Sequence, residues 1–428
     1  MVHLGLHKEL EKHIKKMLLA LLILLFGVSL AGTSQPFVVA ANTAANGAPV
    51  LLGIYPEGSI TSRLIDTELH PLDTWTGKHT TLVGLNSDIE DDTTYYSTQL
   101  NLLWNNGYTP FINLTAGYFS QPTMYQIALG NYDNAIIQWA NNYKSWATNG
   151  KWAYIAVLPE MNVPWVSYGR DPGNYKLGFV RIRQLFTQAG VPASAVKWVF
   201  SPNGWVQWPF EAYYPGDEWV DVVGYVSLHQ GYCPNALDPY WESPDKTVGF
   251  SLKELHSMAP TKPIFITRFG VSAYDAPNHT SDFAKNQWLR DAYSYILGYP
   301  YVKAVLYYNY RQNSDCDWAI YKTTSPTISY IGYQQAVSDS HFGYLTPTQL
   351  KQADLSYHPG NQKTYLPLTF ERLKQPVLLG TYSQEWIGSQ FLIGSGFCVS
   401  CNISWIVRPS TNSMVMKDCA SYSSMLKT

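Results

Sequence analysis

The feature that most constrains this chain is a set of eight short β-rich runs separated by stretches with helical spacing. The runs fall at 50–55 (VLLGIY), 80–86 (TTLVGLN), 109–114 (TPFINL), 152–158 (WAYIAVL), 196–201 (VKWVFS), 220–226 (VDVVGYV), 263–267 (PIFIT) and 302–308 (VKAVLYY). Most are continuous apolar runs rather than alternations, as strands covered on both faces require. Between them, 91–106, 133–148, 174–189 and 281–297 repeat apolar residues at helical spacing, and Gly190 and Pro192 stop the third. A helix before the seventh run, about 248–258, is the least distinct, and a final one falls near 327–338. Eight strands alternating with helices predict an α/β fold, a (β/α)8 TIM barrel. The chain has 428 residues, so a barrel of roughly 250–300 residues leaves segments at both ends.

At the start, Lys8, Lys12, Lys15 and Lys16 precede an uncharged apolar run at 17–30, and Ser29 and Ala31 put small residues where a signal peptidase cuts. This is the order of a secretory signal, and the run is shorter than the roughly 20 residues of a membrane span. The expected organisation is a signal peptide (or anchor) at 1–31, a small-residue linker at 32–48, the barrel at 49–341, and an extension at 342–428 whose structure the sequence does not reveal. The protein is expected to be secreted or held at the cell surface, touching a membrane only through 1–31 if that segment is uncleaved. Cys233 and Cys316 fall on loops that open at one end of a barrel, where a disulfide can form outside the cytosol. Cys398 and Cys401 form a lone CxxC, weak evidence for zinc. No cluster has metal spacing, and neither metal nor cofactor is expected.

Charged residues make up 14% of the chain and aromatics 15%, with 15 Trp and 32 Tyr. Part of that aromatic content must be core, but Trp and Tyr also stack on sugar faces while offering a polar handle. A net charge of −2 without a basic block argues against nucleic acid. The partner expected is a polysaccharide or oligosaccharide.

A barrel of this kind gathers its site at the C-terminal ends of its strands. Glu160, Asn162 and Trp165 follow the fourth run, and Asn203, Trp205 and Trp208 the fifth. Tyr225 and His229 fall at the sixth, Arg268 at the end of the seventh, and Tyr308 through Trp318 at and beyond the eighth. Four ordered blocks carry a family likeness: Glu160-Met161-Asn162 with Trp165; Val199-Phe200-Ser201-Pro202-Asn203; Tyr213-Tyr214-Pro215-Gly216-Asp217-Glu218-Trp219-Val220-Asp221; and Tyr307-Tyr308-Asn309 with Asp317-Trp318. Over roughly 50–341 the chain resembles glycoside hydrolase family 26, which includes endo-β-mannanases and some endo-glucanases and xylanases. The segment from Lys262 to Gly270 is similar to that family's nucleophile strand, which ends in Glu-Phe-Gly. The resemblance implies Glu160 as general acid/base and position 268 as nucleophile. It also implies sugar contacts from Asn162, Trp165, Asn203, Trp205, Trp208, Tyr225, His229, Tyr308 and Trp318.

Position 268 is an arginine. A retaining glycosidase needs a protonated acid and an ionised carboxylate about 5–5.5 Å apart. A guanidinium stays protonated, has no lone pair to attack with, and opposes a cationic transition state. Facing Glu160, it would also hold that residue in the charged form, where a general acid must carry a proton. Ala156 and Pro159 stand where the family commonly has arginine and histidine, and Val226 and Leu228 where it tends to be polar or aromatic. Asp275, Asp315 and Asp317 are the loop carboxylates that could act in an inverting arrangement, and each also reads as a turn residue. Arg181 and Arg183 read as outward residues of a helix. Glu160 could be a strand-end carboxylate and Arg268 an ordinary ion-pair residue, and half the tryptophans could be core. Two functions stay open: hydrolysis of β-mannan or a related glycan with a second, unrecognised carboxylate, and a binding pseudoenzyme whose Arg268 meets a hydroxyl or uronate.

Overall fold

The computed structural model describes residues 48–91, 93–117, 122–204, 209–237, 239–311 and 316–358, together with the backbone of strands at 393–398, 401–407 and 414–416. The signal and nearly all of the linker expected at 1–48 lie outside the described residues. The chain divides into two units, Met1–Pro367 and Leu368–Thr428.

The first unit is the expected barrel. Its strands are β1 (Val50–Pro56), β2 (Leu82–Asp88), β3 (Thr109–Thr115), β4 (Ala153–Val157), β5 (Val196–Phe200), β6 (Val222–His229), β7 (Ile264–Val271) and β8 (Val302–Asn309). Neighbours pair in parallel, and β1 closes on β8 from Leu51↔Ala304 to Pro56↔Asn309. Around them lie α1 (His70–Thr76), α2 (Thr93–Asn105), α3 (Asp133–Trp146), α4 (Pro172–Gln188), α5 (Pro244–Met258), α6 (Asp282–Leu297), α7 (Ile331–Val337) and α8 (Pro347–Gln352). α4 and α6 begin at side-chain caps, Asp171 and Ser281, whose oxygens accept from the Asn174 and Ala284 N–H groups. α5, the least distinct in the sequence, buries Val248, Leu252 and Leu255 at helical spacing, though Gly249 and Ser251 dilute its apolar stripe. Arg181 pairs with Asp133 on α3, and Arg183 lies over the Trp198 and Trp219 rings, so both act outside the barrel.

Successive strand residues alternate between two cores. Leu52, Ile54, Ile112, Leu114, Ile155, Val157, Ile264 and Ile266 pack outward against the helices. Leu51, Leu82, Phe111, Tyr154, Val199, Val222, Phe265 and Leu306 fill the interior. Gly84 lacks a side chain where a Cβ would run into the Tyr55 ring, which therefore reaches the barrel axis.

Two boundaries differ from expectation. β6 and β7 run on to His229 and Val271, and the register skips Thr267 so that Tyr225 faces Ile266 and Val226 faces Arg268. Arg268 therefore sits inside the strand beside a bulge, a device that re-aims a side chain. The barrel unit also does not stop at 341. Phe342 and Gly343 pair with Val50 and Leu51 of β1. α8 follows, Leu350 and Leu355 are buried with the interior core, and the Trp152 Nε1–H donates to the Pro347 carbonyl (2.9 Å). Polar, Pro-punctuated sequence at 342–358 conceals these few apolar anchors.

The second unit, taken alone, contains an antiparallel sheet of Ile393–Cys398, Cys401–Val407 and Met414–Met416. Cys398 and Cys401 are partners in the pairing of the first two of these strands, so the CxxC spans the step from one strand to the next. Among the described residues no helix is long and apolar enough to cross a membrane, and no group of three or more His, Cys, Asp or Glu could hold a metal.

Candidate active site at the carboxyl end of the barrel

Glu160 stands on strained backbone. After β4, Leu158 and Glu160 both take positive φ, 47° and 59°, conformations that cost about 1 kcal/mol or more in non-glycine residues. Surrounding bonds hold them there. The Glu160 N–H donates to the Ser201 carbonyl (2.8 Å), the Tyr168 hydroxyl to the Pro159 carbonyl (3.0 Å), and the Arg170 N–H to the Met161 carbonyl (2.8 Å).

The carboxylate is then gripped from two sides. Asn203 Nδ2 donates to Glu160 Oε1 at 2.7 Å, and Arg268 Nη1 donates to Oε2 at 3.3 Å. Asn203 is itself fixed by Asn162, whose amide accepts from its N–H and donates to its carbonyl, both at 2.8 Å. Asn162 is fully buried, so it positions Asn203 and cannot touch a sugar directly as expected.

Arg268 is surrounded by groups that favour its charge. Nη2 donates to Asn86 Oδ1 (3.1 Å), which also accepts from Asn113 Nδ2 (3.0 Å), while Asn113 Oδ1 accepts from the Tyr55 hydroxyl (3.2 Å). The guanidinium carbon lies 5.3 Å from the Tyr55 ring centroid and 5.1 Å from that of Tyr308, within cation–π range. Its Nε is buried with no hydrogen-bond partner among the described residues. Burial disfavours the cation, but Glu160 and the facing tyrosines outweigh it, and the Arg268 pKa is raised. Burial pushes the Tyr308 hydroxyl up to about 12. The ion pair is largely dry, with the Arg268 and Glu160 side chains 16% and 17% exposed. Its chemistry is that of a fixed charge pair. It sets a guanidinium, and not a second carboxylate, against Glu160.

The other predicted residues divide. Tyr308 lines the same chamber, stacked on Tyr310 with centroids 4.2 Å apart. Trp165, 47% exposed, stands open to solvent. Tyr225 is a correction: strand alternation turns it outward, where its hydroxyl donates to the Val248 carbonyl on α5 (3.2 Å). His229 is another. It is buried against Trp288 (centroids 5.3 Å apart), its Nε2 accepts from the Glu242 N–H (3.1 Å), and burial lowers its pKa to about 4. Trp318 is only 3% exposed, packed beside the Cys233–Cys316 disulfide and against Gly270, so it supports the loop and offers no open platform. Trp205, Trp208 and Asp315 lie outside the described residues. Asp275 is bonded to His279 (2.5 Å), and Asp317 accepts from the Ala319 N–H (3.0 Å); both are occupied as turn residues.

Tyr55, Asn86 and Asn113 belong to the site and were missed. Asn86 and Asn113 each stand near the open end of an apolar strand run. A lone amide in that position is the signal that could have marked them. The disulfide expected between Cys233 and Cys316 is present, tying the β6 and β8 loops across 83 residues.

No curated protein sequence matches the chain. Solved structures share its fold at low identity. The catalytic domain of the Bacillus sp. JAMB-750 GH26 endo-β-1,4-mannanase aligns with a TM-score of 0.56 and 13% identity over 71% of this chain and 89% of its own. The GH26 β-mannanase of Bacteroides ovatus gives 0.52 and 13% over 72% and 94%. A modular endo-β-1,4-mannanase from Cellulomonas fimi gives 0.51 and 15% over 71% and 73%. Residues 120–304, the stretch that carries Glu160, Asn203 and Arg268, match the family model described as Glycosyl hydrolase family 26.

Proposed function

We propose that this chain is an exported barrel of the glycoside hydrolase 26 type whose cleft binds a β-mannan-type polysaccharide without hydrolysing it by the retaining route. The observation that carries this is the Arg268–Glu160 pair: a guanidinium 3.3 Å from the only catalytic carboxylate the motifs supply. Retaining hydrolysis needs an anion at that place, while Asp275 and Asp317 are engaged by the His279 ring and the Ala319 N–H of their own turns. Trp165, Tyr308 and Tyr310 supply aromatic faces at the same end of the barrel, suited to pyranose rings. The family match and the mannanase folds support mannan as the first glycan to try. The N-terminal apolar run and the disulfide support a location outside the cytosol.

The test pairs binding with turnover. Affinity electrophoresis on galactomannan, glucomannan and xylan should retard the protein in a mannan gel, while reducing-sugar assays stay at background. Arg268→Glu should raise mannan hydrolysis at least tenfold above that background. Release of sugar by the native protein would end the pseudoenzyme reading and point to a recruited carboxylate. Absence of retardation in every gel would end the glycan reading.

A further inference from the structure

The opposite end of the barrel carries a second concavity that the cleft does not use. A pocket of about 720 Å³ opens beside the N-terminal starts of β4 and β5, between α3, α8 and the turns around Gly150 and Gly190. Lys144, Lys151 and Lys351 line it together with hydroxyl and amide residues, and no Asp or Glu is among its lining residues. Each ammonium touches one neutral acceptor: Lys144 the Ala189 carbonyl (3.0 Å), Lys151 the Asn101 side-chain oxygen (2.8 Å), and Lys351 the Gly150 carbonyl (3.0 Å). An ammonium has three N–H donors, so each has two left for a ligand. Lys197, the second residue of β5, lies outside the lining but close enough to act on Lys351, and is itself paired with Asp221 at 3.7 Å. Burial and then the charge of Lys197 lower the Lys351 pKa. The whole chain carries a net −2, so this is local placement and not a basic composition.

We propose that this pocket binds a polyvalent oxyanion, a molecule carrying two or more phosphate or sulfate groups. A neutral sugar would leave three ammoniums without a counter-charge. A single small anion would leave most of the volume empty, since 720 Å³ is the share of about twenty-four waters at about 30 Å³ each. Tetrahedral oxyanions joined by a short scaffold meet both conditions, presenting several acceptor oxygens to separated lysines. Because the pocket lies at the strand starts and the Arg268–Glu160 pair toward the strand ends, the two sites can be tested independently.

The experiment is calorimetric titration of the full chain, at low ionic strength, with inorganic tripolyphosphate and with a fully sulfated disaccharide. One site per chain is expected for at least one probe. Affinity should fall at least tenfold in Lys144→Gln/Lys351→Gln and should not change in Lys246→Gln, which removes an exposed charge elsewhere. Lys151→Gln serves as the second variant if the double one melts early, and should cost affinity in the same direction. Tighter binding of the sulfated disaccharide would identify a sulfated glycan as the source of the anion, and tighter binding of tripolyphosphate a phosphate compound. No heat from either probe at millimolar concentration, or equal losses in Lys246→Gln, would overturn the proposal.

Discussion

The lower and upper halves of the barrel interior are built on opposite principles. Toward the strand starts, Leu51, Leu82, Phe111, Tyr154, Val199, Val222, Phe265 and Leu306 fill the axis, and Leu350 and Leu355 join them from beneath. Toward the strand ends the same inward-facing rows become Tyr55, Asn86, Asn113, Arg268 and, just beyond β4, Glu160, joined by hydrogen bonds and one ion pair. Close packing of the first kind cannot be exchanged for anything else without loss, because each side chain fills its own volume. A charged pair of the second kind gains little net stability over apolar residues of equal volume. The upper half is therefore the part free to be shaped by function.

The largest expected effect tests the lower half. Phe111 is fully buried and meets both Tyr55 and Tyr154 edge-on or stacked. Phe111→Ala should lower the unfolding free energy by about 4 kcal/mol in denaturant titrations; a loss under about 1 kcal/mol would mean the axis is not tightly filled. The next tests the upper half. Arg268→Ala strands a mostly buried carboxylate and should cost roughly 3 kcal/mol, while Arg268→Met with Glu160→Gln should recover most of it. A double variant as unstable as the single one would make the pair structural, against the contrast drawn above. A third, spread over a wide range of pH, concerns His229, at the upper end but facing outward. Its folded pKa of about 4 lies below the ordinary 6.5, so the unfolded chain takes up the proton first as pH falls. The stability gained by keeping the ring neutral is complete above about pH 6.5 and is lost as pH drops through about 4, by up to about 1.4 kcal/mol per unit. His229→Gln should flatten the stability profile between pH 6.5 and 4; an unchanged slope would mean the ring is solvated.

The barrel was legible because its strands are covered on both faces, which makes each an apolar run with no alternation to misread. The site was legible where a carboxylate follows or an arginine interrupts such a run: Glu160 comes just past β4, and Arg268 falls within β7, short of its end. Tyr225 and His229 were misplaced for one reason. Sequence gives a strand's length only to within a residue or two, and a shift of one residue moves a side chain from the axis to the helix layer. The bulge at Thr267 compounds this, since skipped residues leave no trace in composition. Trp318 shows another limit. A tryptophan beside a cysteine reads alike whether it serves as an open platform or packs beneath a disulfide, and only its 3% exposure decides.

The segment from Phe342 to Tyr357 has a practical consequence. Because it pairs with β1 at Val50, presents Leu350 to the axis and returns a hydrogen bond from the Tyr357 N–H to the Thr261 carbonyl, it works as a stopper in the base of the barrel. A shortened protein cut where the sequence changes character, after residue 341, would leave the Trp152 indole N–H without its acceptor and expose the lowest layer to water. The minimal independent version of this barrel therefore runs past residue 357, and the domain edge is set by what plugs the floor and not by the last helix on the wall.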